Sequence, residues 1–302
     1  VGAAQIAALA RGDGLGSLLG FVTAPSPKVA MSERRLPDRR MILGGLTASA
    51  AAAPTLASAA AQIVPAGWLT YEARLNARLA DAGGGRFDAA TARALLDATN
   101  TERRTAGAPA CAWDDELEAA ARSHAADLAA RAYFSHVAPE GFDPSHRLAI
   151  LARRRIGSAS ENIAYRRYSE PSTAAHLMGV WRSSPPHWTN LLKSSHRRAG
   201  YGVAVKGDRT YAVGLYGHVD GELPAPLPFR VTDEAALAAA VATAAPEIEG
   251  FELTDPLDER PLGGVSAAEL PALAPGAYQL RPRFRINDRV VAVLWGPIFV
   301  KM

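Results

Sequence analysis

Apolar residues recur at three- and four-residue steps through Trp68, Tyr71, Leu75 and Leu79, the period of a helix that buries one face. Gly83-Gly84-Gly85 ends that run, and Asp88 stands where a helix N-cap belongs. Ala92, Leu95, Leu96 and Thr99 then carry a second helical face, which stops at Gly107-Ala108-Pro109. A third helix is expected from Asp114 to about Ala132, with Leu117, Ala121, His124 and Leu128 on one side. Pro139, Gly141 and Pro144 break the pattern ahead of a short helix over 144–154. A further helix over 172–183 is expected to stop before Pro185-Pro186, since neither proline continues a helix comfortably.

Beyond that point the pattern becomes strand-like. Tyr201–Val205 and Thr210–Tyr216 flank Gly207-Asp208-Arg209 as a β-hairpin. Helices first and strands last predict layers rather than alternating βαβ units. Leu223-Pro-Ala-Pro-Leu-Pro228 reads as a semi-rigid linker. After it, 234–244 is Ala-rich and helical in character, and 278–286 with 289–300 form a second hairpin about Asn287-Asp288. No chemical motif stands out in residues 222–302.

Charge changes the picture mainly at the front of the chain. The 302 residues carry a formal charge of +3, but the excess lies in the first sixty. Residues 62–302 hold equal numbers of basic and acidic side chains, so they lack the electrostatic footprint of a nucleic-acid binder. Asp38-Arg39-Arg40-Met41-Ile42-Leu43 opens a stretch with no charged residue through Tyr71. An arginine-bearing front, a moderately apolar middle and small-residue cleavage options such as Ala57-Ser58-Ala59 are the parts of an export signal of the twin-arginine kind. The uncharged run is long enough to span a membrane. Its Ala, Gly, Ser and Thr content and Pro54 favour cleavage, with no stable transmembrane anchor afterwards. Residues 1–30 have no clear period, and Met31 is an alternative start. The one cysteine, Cys111, allows no internal disulfide and sits in an apolar setting that suits a buried thiol.

The candidate chemistry lies between Phe134 and Leu192. Two histidines and a glutamate, His136, Glu161 and His187, stand in separate runs of apolar and small residues that converge if those segments pack together. Two imidazoles suit a borderline cation such as Zn²⁺, and a carboxylate either completes the shell or fixes a tautomer. The same trio also serves as a buried hydrogen-bonded cluster with no turnover. Neither a His-Glu-x-x-His pair nor a Gly-x-Ser-x-Gly elbow is present, so spacing alone assigns no reaction. His124, among apolar neighbours on its helix, reads as a core histidine; His146, His176, His196 and His218 show no constellation. Trp113 and Trp181 read as core anchors.

Seven pieces in fixed order resemble the CAP superfamily of cysteine-rich secretory proteins, antigen 5 and pathogenesis-related 1 proteins, in its cysteine-poor bacterial form. They are Leu96-x-x-x-Asn100-x-x-Arg103, Trp113-Asp114-x-x-Leu117, His124-Ala-Ala-Asp127-Leu128-Ala129, Tyr133-Phe-Ser-His136, Glu161-Asn-Ile-Ala164, Trp181-x-x-Ser184-Pro185-x-His187-x-x-Asn190-Leu191-Leu192 and Gly200-x-Gly202-Val203. The resemblance covers roughly Asp88 to Gly217. It implies an α+β fold, a three-layer α-β-α sandwich over 88–220. Residues 62–87 form a helical extension before it, 221–230 a Pro-rich linker, and 231–302 a β-rich accessory region. It further implies a cavity with His136, Glu161 and His187, to which Ser184, Trp188 and Asn190 are added. His136 and His187 are the metal candidates, for Zn or another divalent cation. Ser184 stands where eukaryotic members carry a second acidic residue, which removes one ligand or base. The expected role is binding a small-molecule, lipid or cell-wall ligand in the periplasm or outside the cell. The alternatives are a metal-assisted peptidase or cell-wall hydrolase with Glu161 as base, and a scaffold presenting the C-terminal region.

Overall fold

A computed structural model describes residues 65–242, 248–266, 269–287 and 290–302. The expected export signal over 31–61 lies outside them. The first described helix, α1 (Pro65–Ala80), buries Trp68, Tyr71 and Leu75. A two-residue strand β1 (Arg86–Phe87) leads to α2 (Ala89–Thr105), whose N-cap is Asp88 with its carboxylate accepting from Thr91 N at 3.0 Å. After β2 (Ala112–Trp113), Asp114 caps α3 (Asp115–Arg131) by accepting from the amides of Glu116 and Leu117. Next come α4 (Pro144–Leu151), β3 (Arg155–Ile156), β4 (Ala159–Arg167), α5 (Ala174–Arg182) and α6 (Pro185–Leu192). The long hairpin of β5 (Arg198–Lys206) and β6 (Arg209–Gly217) turns at Gly207, whose φ of 59° suits glycine.

The helix expected over 172–183 does stop before Pro185 and Pro186, but the prolines also begin a helix that the sequence reading did not include. They open α6 at its first two positions, where a missing N–H costs nothing and the fixed φ already matches a helix. The preceding helix ends independently at Arg182.

The central sheet runs β1-β5-β6-β4, with β2 beside β5. Alternation along the strands sends Ile163, Tyr211, Val213 and Leu215 to one side, against Leu117, Ala121 and Leu128 of α3 and Leu148 of α4. It sends Ala164, Ala212, Tyr201 and Tyr216 to the other, against α2, α5 and α6. Helices on both faces of one sheet make the expected α-β-α sandwich. Trp181 is wholly buried in the second layer; Trp113 is only partly covered, with Arg93 stacked 3.6 Å over its ring.

A second sheet of the order β10-β9-β11-β13-β8, with β12 beside β11, forms from β8 (Arg230–Val231), β9 (Ile248–Thr254), β10 (Pro261–Val265), β11 (Gly276–Asn287), β12 (Val290–Val293) and β13 (Ile298–Lys301). A short helix, α7 (Ala235–Val241), packs with it, and β7 (Gly221–Glu222) pairs with β3. The proline-rich stretch before it is packed, with Leu223 and Leu227 fully buried. Their amides donate to Arg154 O and Arg153 O, and the two arginines return bonds to Leu223 O and Leu227 O. One cluster spans the sandwich, α1 and this sheet: Trp68, Tyr71, Phe142, Ile150, Phe229 and Ile298. The helix α4 therefore sits with apolar neighbours from both flanking parts of the chain.

Candidate functional site

The site is built at the free edge of the central sheet, on β4. Odd positions of β4 face α3, which points Glu161 into that layer, and the carboxylate is completely buried. Three elements supply its partners. His124 on α3 donates from Nδ1 to Oε2 at 2.9 Å, His136 from the loop after α3 donates from Nδ1 to Oε1 at 2.8 Å, and Arg147 on α4 donates from Nη2 to Oε2 at 3.0 Å. Arg147 also donates to His136 O at 2.7 Å, so it fixes the loop as well as the acid.

Burial alone pushes the Glu161 carboxyl up, but His124 and Arg147 outweigh it and hold the group well below the ordinary carboxylate range. Glu161 is thus an anion that accepts from three donors. Each histidine must then present Nδ1–H to it, and a neutral ring so held has its tautomer fixed. Burial, then the Arg147 charge, keeps the His124 ring below the usual histidine value. Its Nε2 is buried with no hydrogen-bond partner.

His187 enters from α6, at the third position of that helix, and its ring centroid lies 6.5 Å from that of His136. Even positions of β4 face this layer, and Asn162 Nδ2 donates to His187 O at 2.9 Å, tying strand to helix. The far end of α6 is held by Arg103, fully buried on α2, which donates to Leu191 O, Lys193 O and His196 O. Burial, then the neighbouring His136, pushes His187 down to about 4. His187 Nδ1 and Ser184 Oγ have no hydrogen-bond partner although both are buried.

Residues 96–216 match the family model described as the cysteine-rich secretory protein family, CAP. The chain carries a CAP domain. Among solved structures it is similar to an outer surface protein of Borrelia burgdorferi, at 18% identity over 45% of this chain and 99% of that one, with a TM-score of 0.40. An extracellular protein containing a SCP domain from Bacillus anthracis is 27% identical over 43% of this chain and 41% of that one, at a TM-score of 0.35. A cysteine-rich secretory protein of Staphylococcus aureus is 17% identical over 42% and 38%, at 0.33. This chain spans less than half the length of the latter two. No curated protein matches it.

Within the CAP domain, the sequence candidates divide into two groups. His136, Glu161 and His187 gather at the β4 edge, with Ser184 one helical turn before His187. Asn190 serves a second cluster: its Nδ2 donates to Asn162 Oδ1 at 3.0 Å, and its Oδ1 accepts from Ser160 Oγ at 2.6 Å. His196, which shows no constellation in the sequence, is 5% exposed and joins this cluster through Nε2. Trp188 packs half-buried against the second layer with Arg182 over its ring. Cys111 is buried, and burial raises its thiol pKa.

Two members of the Glu161 cluster escaped the sequence reading. The helical face of His124 is apolar, the pattern of a core residue; that face does pack on the sheet, but the ring ends on the carboxylate. Arg147 carried no motif. Its only signal was an arginine just ahead of Leu148 and Ile150, in a short helix rich in apolar residues. The donor set also bears on a cation. Glu161 already accepts from three donors, which leaves two imidazoles, and no group of three or more His, Cys, Asp or Glu among the described residues converges on a metal-binding geometry. That is one ligand short of the usual protein set for zinc.

Proposed function

We propose that the protein is an exported CAP-domain binding protein whose paired imidazoles, His136 and His187, receive a small-molecule, lipid or cell-wall ligand outside the cytoplasm. The observation that carries this is the saturation of Glu161. An ion-paired carboxylate that accepts from His124, His136 and Arg147, and whose proton affinity is lowered, is a poor general base, because a base needs a pKa near the working pH. Its service is to orient His136 so that Nε2 faces away from the acid, with the His187 ring centroid 6.5 Å from its own. Export rests on the sequence of residues 31–61 alone. Among the described residues no helix is long and apolar enough to cross a membrane.

The hydrolase alternative assigns Glu161 as base and a cation to His136 and His187, and the donor set gives it less support. A cation there would take its remaining ligands from outside the protein, and no step of this reading passes through one. The test is calorimetric titration of the full chain with a muropeptide mixture and, separately, with phospholipid dispersions, beside the double variant His136→Ala, His187→Ala checked for folding by circular dichroism. Saturable uptake that the double variant loses and that chelator leaves intact is the expected result. Binding equal in both proteins removes the imidazole pair from the function, and release of cleaved product replaces binding with hydrolysis.

A further inference from the structure

Three helices of this protein start with the same frame, a capping side chain followed three residues later by histidine: Asp143 with His146, Thr173 with His176, and Ser184 with His187. In the first, Asp143 Oδ1 accepts from His146 N at 3.0 Å and His146 Nδ1 accepts from Asp143 N at 3.2 Å. In the second, Thr173 Oγ1 and His176 Nδ1 close the same reciprocal pair, each at 3.3 Å. Both are capping boxes with imidazole in place of the usual Glu or Gln.

The third frame is left open. Ser184 N–H is already given to Trp181 O at 3.2 Å, because only Ser183 and Ser184 separate α5 from α6, so His187 Nδ1 has no amide to accept. Ser184 Oγ makes no cap bond either. Both side chains are more than nine-tenths buried, at 1% and 7% exposure, and both atoms are without partner. A buried polar atom in that condition is destabilising, and the two stand on one turn, where capping partners ordinarily meet.

We propose that Ser184 Oγ and His187 Nδ1 form a hydrogen-bonding subsite for a neutral ligand group that both donates and accepts, as the hydroxyls and amides of a glycan do. This rests on the binding reading above and names the chemistry its ligand presents. Pro185 and Pro186 remove two of the first-turn N–H donors, so the helix start is not an anion cradle. The charges of the neighbouring cluster, Glu161 and Arg147, are opposite in sign and bonded to each other. A carboxylate only accepts and an ammonium only donates. A hydroxyl does both, and so pairs with serine and with either tautomer of the imidazole.

The test is the full-length protein labelled with ¹⁵N-histidine, with ring nitrogens followed by NMR during titration with triacetylchitotriose, and with sodium acetate and methylammonium chloride as charged probes. Saturable movement of the His187 ring signals with the trisaccharide alone is expected, weakened about five- to tenfold in Ser184→Ala, the loss of one neutral hydrogen bond. Because Ser184 makes no cap bond, Ser184→Ala should melt with the native protein, and the wild-type titration stands by itself if it does not. Movement at His136 without His187 overturns the subsite and leaves the wider binding reading. Silence at both removes the subsite and, for this ligand class, the reading beneath it. Undiminished affinity in folded Ser184→Ala, or equal response to acetate, shows that the pair does not select for a hydroxyl or amide and overturns the proposal.

Discussion

Glu161 Oε1 holds Nδ1 of His136 at 2.8 Å from a side chain with no exposure at all, so the acid and the ring it orients form one buried unit with Arg147. Glu161→Gln removes the charge but not the volume. Arg147 is then a buried cation without its anion, a change worth about 3–5 kcal/mol. Urea unfolding should show that loss, and histidine NMR should show His136 as a mixture of tautomers instead of one. A stability change under 1 kcal/mol would mean Arg147 finds another acceptor and that the anion is not the keystone.

Much of the sandwich was legible in the sequence, for reasons tied to particular residues. Asp88 and Asp114 announced two helix starts because an N-cap is a local, single-residue signal. The β5–β6 hairpin was legible from Gly207 and alternation on either side. What failed were signals with two physical meanings. Pro185-Pro186 was legible as the stop of one helix but not as the first turn of the next. His124 sits on an apolar face that packs as core up to its ring, and only the tertiary position of Glu161 decides the ring's role. Leu223-Pro-Ala-Pro-Leu-Pro228 has linker composition, yet its two leucines are buried by β-structure that a local reading cannot place.

Acid should weaken the fold before it protonates Glu161. An unfolded histidine takes its proton near pH 6.5. Burial holds His187 and His196 down to about 4, and His124 is lowered as well. From about pH 6.5 to 4 the unfolded chain therefore binds protons that the folded one refuses, and stability falls with pH, by up to about 1.4 kcal/mol per pH unit for each such ring. Glu161, held below the ordinary carboxylate value, adds a further loss at lower pH. Burial raises Glu116, Glu118 and Asp220, which works in the opposite sense near the same range. The clean reading is thus a difference: His187→Asn should flatten the pH slope of ΔG by about one proton. An unchanged slope would show that His187 protonates freely in the folded state.

The helix before the CAP match is expected to contribute to the domain it precedes. Trp68 is 1% exposed, with its ring centroid 4.7 Å from Phe142 and 5.5 Å from His146 beside Arg147. Trp68→Ala should cost about 3–5 kcal/mol, as buried aromatic truncations do. If α1 were an independent appendage, thermal melts of Trp68→Ala would leave the main transition in place.

Gly200 and Gly202 of β5 lie directly beneath α3, and the reason is contact, not turn geometry. A Cβ on Gly200 would stand 2.1 Å from Glu118 N, and one on Gly202 would stand 2.3 Å from Arg122 Cα. Both neighbours are helix backbone, which cannot swing aside as a side chain would. Alanine at either site has to lift α3 from the sheet, and α3 carries His124 and leads into the His136 loop. Overpacking of this kind costs about 1–3 kcal/mol, and more where backbone must move. Gly200→Ala should therefore lower the melting temperature and also perturb the ring signals of His124 and His136. Gly107→Ala, at a turn where a Cβ meets nothing but φ is 70°, serves as the control: it strains backbone without lifting the helix, so it should cost stability and leave those signals alone. Equal histidine shifts in the two variants would mean that the site does not read the spacing of α3 from the sheet.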